Sequence, residues 1–124
     1  MLTKLAQKLS DIDLYFLRST AGELFLTFLF VFTTVGAAMA SAKTSAGRDS
    51  VTGLMVAAAA NTLAVAAIVS AGAKISGAHL NPVVTLAMAL GGRISWLRFV
   101  FYFIVQLVGS SLACLVLRFI SGGM

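Results

Sequence analysis

Apolar residues along this chain gather in long unbroken runs, separated by short polar stretches. Three runs are long enough to cross a bilayer as helices, because roughly 20 apolar residues rising 1.5 Å each match a hydrocarbon core of about 30 Å. The first extends from about Ser19 to Ala40, the second from about Val51 to Ala73, and the third from about Trp96 to Ile120. The third opens on an interfacial tryptophan and carries Tyr102 a turn or so further in. A charged, mildly amphipathic lead, MLTKLAQKLSDIDLYFLRS, precedes the first run, and the polar turn SAKTSAGRDS joins it to the second. Ala38-Met39-Ala40 resembles a signal-peptide cleavage site, but an apolar run of about 20 residues exceeds the usual 7–15 of such a signal. The predicted organisation is a lead at residues 1–18 and one membrane unit at 19–124.

The stretch from Gly72 to Ser95 breaks the pattern. It holds a polar, glycine-containing segment and then VVTLAMALGG, an apolar piece of about nine residues, too short to span and too apolar for a solvated loop. Such a piece predicts a re-entrant half-helix, which at about 13 Å reaches from one membrane surface to the middle. Asparagine is a favoured N-cap and proline a favoured first helical residue, so Asn81-Pro82, with the only proline of the chain, marks the helix start. The half-helix is expected over Pro82 to about Leu90, ended by Gly91-Gly92. Its N-terminus then lies near the membrane midplane, where free backbone N–H groups and a partial positive charge collect. Non-helical backbone at that depth is tolerated only where protein buries it or a wet cavity meets it. Ser76-Gly77-Ala78-His79-Leu80 are therefore expected to turn carbonyls towards a cavity, and Asn81 to offer its side-chain NH₂ there. A positive helix end facing a narrow wet passage repels cations and suits a neutral hydrogen-bonding solute.

Composition agrees with a lipid setting. The chain is 60% hydrophobic and 10% charged over 124 residues, against about 25% charged in soluble domains, and its mean hydropathy is +1.01. So short a chain cannot bury that much apolar surface in its own core. The net charge of +5 arises from nine Lys and Arg against four Asp and Glu. These basic residues stand at the margins of the apolar runs, which fits membrane topology better than nucleic acid. Lys4, Lys8, Arg18, Lys74, Arg93 and Arg98 fall on one side and Lys43, Arg48 and Arg118 on the other, so the positive-inside rule puts the lead and the half-helix on the cytosolic side. The one cysteine, Cys114, lies in an apolar run and leaves no disulfide framework or thiolate metal site within one chain. No cofactor is implied. The second run is crowded with small residues, from Gly53 to Ala67, and predicts a tightly packed bundle member; Gly22, Gly36, Gly109, Ser110 and Ser111 extend the pattern to the other runs.

SGAHLNPVVT resembles the first signature loop, SGxHxNPAVT, of the aquaporins or major intrinsic proteins. AGELFLTFLFVF is similar to their first helix and YFIVQLVGSSLACLVL to their third, the latter most like the plant tonoplast intrinsic proteins. The resemblance covers about residues 15–120. It implies an all-α membrane fold of two inverted repeats, each with three spanning helices and a half-helix, whose half-helices meet at the midplane. This chain holds one repeat. It lacks the second Asn-Pro-Ala loop and the arginine of the outer constriction, so it is expected to be a fragment or to borrow a second half-repeat from another chain. The resemblance also implies homo-tetramers in a vacuolar membrane. Two departures stand out: Val83 replaces the usual alanine and crowds the meeting point of the half-helices, and Ala78 stands where glycine is common, which limits backbone freedom.

Several side chains carry more than one reading. Asn61 is an amide in an alanine-rich helix, costly if unpaired. It packs between helices, or, at the family's second-helix constriction position, lines the pore. There, in place of the histidine of many tonoplast members, it favours solutes larger than water. Glu23 is an intramembrane carboxylate; the resemblance implies that it accepts hydrogen bonds from the re-entrant loop, with a proton relay or interfacial solvation as alternatives. His79 is expected at the cytosolic entrance, fixing the loop or sensing pH, and Gln106 braces the half-helix. Cys114 is expected to be a packed thiol, which the family makes a candidate for mercurial block. Phe25, Phe28, Phe30 and Phe32 suffice for lipid contact and packing.

Three function classes follow: a passive channel for water and small neutral solutes, a non-conducting structural or regulatory partner, or a half-transporter that dimerises around a substrate. The last wants charged or aromatic ligands in its helices, and Glu23 is the only charge within the spans apart from their ends. An enzyme is disfavoured, because one His, one Cys and scattered carboxylates give no convergent acid, base and nucleophile.

Overall fold

The computed structural model describes residues 1–10, 13–44 and 50–123. Five helices follow one another: α1 (Leu2–Ser10), α2 (Leu14–Ala42), α3 (Val51–Gly72), α4 (Pro82–Leu90) and α5 (Trp96–Ile120). Helices α2, α3 and α5 are long and apolar enough to cross a membrane, with mean hydropathies of 1.9, 2.0 and 2.2 over their most apolar windows. The fold is all-α, three spanning helices and one half-length helix.

Each of the last four helices starts on a side-chain cap that satisfies an otherwise free backbone donor. Asp13 Oδ1 accepts from Phe16 N (2.7 Å), Ser50 Oγ from Gly53 N (2.9 Å), Asn81 Oδ1 from Val83 N (2.8 Å) and Ser95 Oγ from Arg98 N (3.2 Å). The α4 terminus is equally well defined. Gly92 takes φ +67°, its N–H donates to Ala89 O, and Arg93 N donates to Met88 O at 2.8 Å. That paired closure of the last carbonyls requires a left-handed residue, the conformation glycine adopts without cost.

The first spanning helix is longer than the hydropathy pattern predicts, beginning at Leu14 and not near Ser19, and ending at Ala42. At 1.5 Å per residue its length is about 43 Å, the thickness of a bilayer with its headgroup layers. An apolar window reports only the hydrocarbon part. The lead is accordingly shorter than residues 1–18, and most of it is the separate helix α1. The basic residue Arg48 lies outside the described residues.

Helix α2 is the hub: it packs against both α3 and α5, α4 packs against α5, and α1 touches no other helix among the described residues. Contacts Phe16–Phe101 (ring centroids 5.2 Å), Leu24 with Gly109, and Gly36 with Leu117 show α2 and α5 running side by side in the same direction. Leu26 against Gly72 and Ser41 Oγ donating to Gly53 O (2.9 Å) show α3 running opposite to α2. A Cβ on Gly109 would stand 2.6 Å from Leu24 O, so that glycine sets how closely α2 and α5 cross. Arg18, Lys74, Arg93 and Arg98 consequently share one end of the bundle and Lys43 and Arg118 the other. Arg98 stacks its guanidinium over the rings of Tyr15 (5.2 Å) and Phe16 (5.6 Å) at the first of these ends.

Two packing expectations are corrected. Helix α3 is the least buried span, 11% of its apolar window against 28% for α5, and its alanines mostly face outwards. Small residues permit close approach, but within this unit only Gly53, Ala64 and Gly72 of α3 are buried. Cys114 is exposed on α5, not packed, since the positions one residue before and three after it, Ala113 and Leu117, are the ones turned inwards.

Candidate functional site

Between α3 and α4 the backbone is neither helix nor strand, and it is held by side chains from α2 and α5. Glu23, fully buried on α2, receives four hydrogen bonds: Ser76 Oγ (2.6 Å) and His79 N (2.8 Å) donate to Oε1, Leu80 N (2.9 Å) and Gln106 Nε2 (3.0 Å) to Oε2. Full burial excludes interfacial solvation of this carboxylate. Ser76 Oγ also accepts from Ala78 N at 3.1 Å. From α5, the Tyr102 hydroxyl donates to Ser76 O at 2.8 Å.

This clamp holds an unusual run of backbone. Gly77, Ala78 and Leu80 have φ of +92°, +49° and +60°. For alanine and leucine the left-handed region brings Cβ against the following carbonyl, at about 1–2 kcal/mol per residue. Such strain persists only where surrounding structure over-determines it, and the N–H groups of residues 78, 79 and 80 each have a side-chain acceptor. The apolar side chains of the loop are also used: Ala78 and Leu80 pack with Leu26, flanked by Phe30 and Ile68.

The second layer links the loop to α4. Gln106 Nε2 donates to Thr85 Oγ1 (2.9 Å) as well as to Glu23. Thr85 Oγ1 lies 3.0 Å from Asn81 O and 3.1 Å from His79 Nδ1. Glu23, Gln106, Thr85 and His79 thus form one continuous buried network, and the His79 ring meets Tyr102 edge-on at 5.3 Å. His79 is buried in that network, not set at an entrance.

The α4 N-terminus beyond the network is open. Asn81 is exposed; its Oδ1 is committed to Val83 N, while its Nδ2 makes no hydrogen bond among the described residues. Val84 N and the carbonyls of Gly77, Ala78, His79 and Leu80 are likewise unbonded there, whereas the Ser76 carbonyl is turned inwards to Tyr102. Pro82 is half-buried and Val83 is 71% exposed. The exposed Asn81 therefore offers an amide donor at a positive helix end, next to a run of carbonyls with no partner among the described residues. A polar uncharged molecule can satisfy both.

Gly77, Ala78, His79, Asn81, Pro82 and Val83 come together along the loop, with Glu23 and Gln106 behind them. Asn61 does not join them: it is exposed on α3, its side chain makes no hydrogen bond among the described residues, and α3 does not touch α4. Three participants have roles here that the sequence reading did not assign, and the Ser76 carbonyl, expected towards the cavity, is instead bonded to Tyr102. Ser76 and Thr85 are small polar residues with no periodic signature, and Tyr102 reads as an interfacial residue although it is fully buried. A pairing signal between Tyr102 and the SGAH stretch is what would have found it.

Residues 10–124 match the family described as Major intrinsic protein. The chain belongs to the major intrinsic protein family. Among its relatives within that family, the maize (Zea mays) protein named aquaporin TIP4-4 is 52% identical over 105 residues, 84% of this chain and 42% of the relative. The Arabidopsis thaliana protein named aquaporin TIP2-1 is 44% identical over 109 residues, 87% of this chain and 44% of the relative. The chain spans less than half the length of these relatives. As a major intrinsic protein with three apolar helices of spanning length, it is an integral membrane protein.

Proposed function

We propose that this chain is one half of a passive channel for water and small neutral solutes such as glycerol, urea or ammonia. The observation that carries the reading is the α4 N-terminus, where an exposed Asn81 amide stands at a positive helix end and, among the described residues, the Val84 N–H and four neighbouring carbonyls are unbonded. Donor and acceptor rows side by side replace the hydration of a neutral solute. A cation meets the positive helix end and loses its hydration without recompense, and a proton is disfavoured for the same reason. The relatives named aquaporins support the same reading, as does the Glu23 clamp, which keeps the loop from relaxing when the solute leaves.

A complete passage needs a second wall. It is supplied by a second half-repeat, from the same protein or another chain, seated on the open face of α3 and α4 so that Asn61, Asn81, the His79 carbonyl and Val83 border the path. Val83 narrows the centre relative to the alanine usual in the family. The basic end of the bundle faces the cytosol, the vacuolar membrane is the location, and homo-tetramers are the assembly.

Stopped-flow light scattering on liposomes holding this chain, first under osmotic and then under urea or glycerol gradients, tests the proposal. Permeability well above empty liposomes and abolished by Asn81→Asp supports copies of the half assembling a pore. Permeability equal to the control favours the second reading, a non-conducting partner or a fragment of a full-length channel. The mostly exposed α3 favours that reading too.

A further inference from the structure

Among the described residues helix α1 packs on no other helix, yet its pattern asks for a surface to cover it. Within LTKLAQKLS, Leu2, Leu5, Ala6 and Leu9 recur at the i, i+3, i+4, i+7 spacing of one helical face, while Thr3, Lys4, Gln7 and Lys8 fall on the other. Leu2 is 85% and Leu5 53% exposed, and α1 touches none of the other helices among the described residues. The α1 sequence contains two lysines and no acidic residue.

Its position narrows what can cover that face. The three residues between Ser10 and Leu14 reach about 11 Å when extended, so α1 stays close to the start of α2. That end of the bundle carries Arg18, Lys74, Arg93 and Arg98, with Trp96 and Tyr15 exposed at the same level. Exposed aromatics of this kind mark the headgroup layer. A helix held at that layer, apolar on one side and cationic on the other, meets the acyl boundary and anionic headgroups together.

We propose that α1 is a surface anchor that lies in the headgroup layer and docks on anionic phospholipid, Leu2 and Leu5 entering the acyl boundary and the lysine-bearing face meeting phosphate and carboxylate groups. A nine-residue helix is marginal by itself in water. Tethering to a spanning helix removes the cost of bringing it to the bilayer, and the interface supplies the rest. The anchor fixes the height of α2 in the bilayer independently of what the pore conducts.

The test uses the whole chain in nanodiscs of phosphatidylcholine, with or without phosphatidylserine. Leu5→Cys on a Cys114→Ala background carries an environment-sensitive NBD label. The expected result is blue-shifted emission, quenched by doxyl-labelled lipid, in the phosphatidylserine discs. The ratio of docked to free α1 should fall about fivefold for each of Lys4→Gln and Lys8→Gln, and fall again with added salt. Three results overturn the proposal. One is water-like emission in both lipids; another is docking that the double lysine variant leaves unchanged. The third is a label shielded from aqueous iodide but untouched by doxyl lipid, which assigns the face to a protein partner. None of these readouts depends on permeability.

Discussion

Glu23 shows how much one side chain can organise. Both of its oxygens are used twice, so Glu23→Ala leaves Ser76 Oγ, two backbone N–H groups and Gln106 Nε2 without their acceptor. At about 1–3 kcal/mol for each buried group left unpaired, the loss is comparable with the whole stability of a small domain. Thermal unfolding in detergent should show a large drop in midpoint. Glu23→Gln is expected to fail nearly as badly, because its NH₂ faces donors. Tyr102→Phe removes the donor to Ser76 O and the hydroxyl that Ser19 also meets, and should cost about 1–3 kcal/mol by the same measurement. Ala78 adds a test of strain: at φ +49°, Ala78→Gly should be tolerated, whereas the β-branched Ala78→Val should lose several degrees of midpoint.

At the scale of elements, the crossing of α2 and α5 rests on one missing methyl group. Gly109→Ala puts a Cβ 2.6 Å from Leu24 O and 3.3 Å from Phe28 N, both backbone atoms that cannot turn aside. The helices must part, at about 1–3 kcal/mol for overpacking, while Ser111→Ala on the exposed face should leave the midpoint unchanged. Element identity was largely legible in the sequence because it is coded locally. Asn81-Pro82 and Gly91-Gly92 bracket α4 with caps that need no partner from elsewhere. The start of α2 was not, because Leu14 to Arg18 follows the Asp13 cap and is not a purely apolar run. Nor was the network around Glu23 fully visible: its donors lie 53, 56, 57 and 83 residues away. Only the family resemblance pointed from Glu23 to the loop; the roles of Ser76, Thr85 and Tyr102 emerge only once the helices are packed.

The molecule as a whole is asymmetric in its finish, with α5 and α2 packed along their length while α3 presents alanines and Asn61 outwards. If that face receives a second half-repeat, a thiol reagent should label Asn61→Cys, on a Cys114→Ala background, readily in the isolated chain. Co-expression with the C-terminal half of a full-length relative should slow the labelling at least tenfold; equal rates in both preparations would falsify this docking. The wide separation of Glu23 from Gln106 has a further consequence, one of timing. A ribosome adding about 5–20 residues per second takes roughly 4–17 s to pass from one to the other. For that interval the newborn carboxylate sits in the translocating chain without its final ligand. The loop cannot lock before α5 arrives, so the third spanning helix is the one that closes the first.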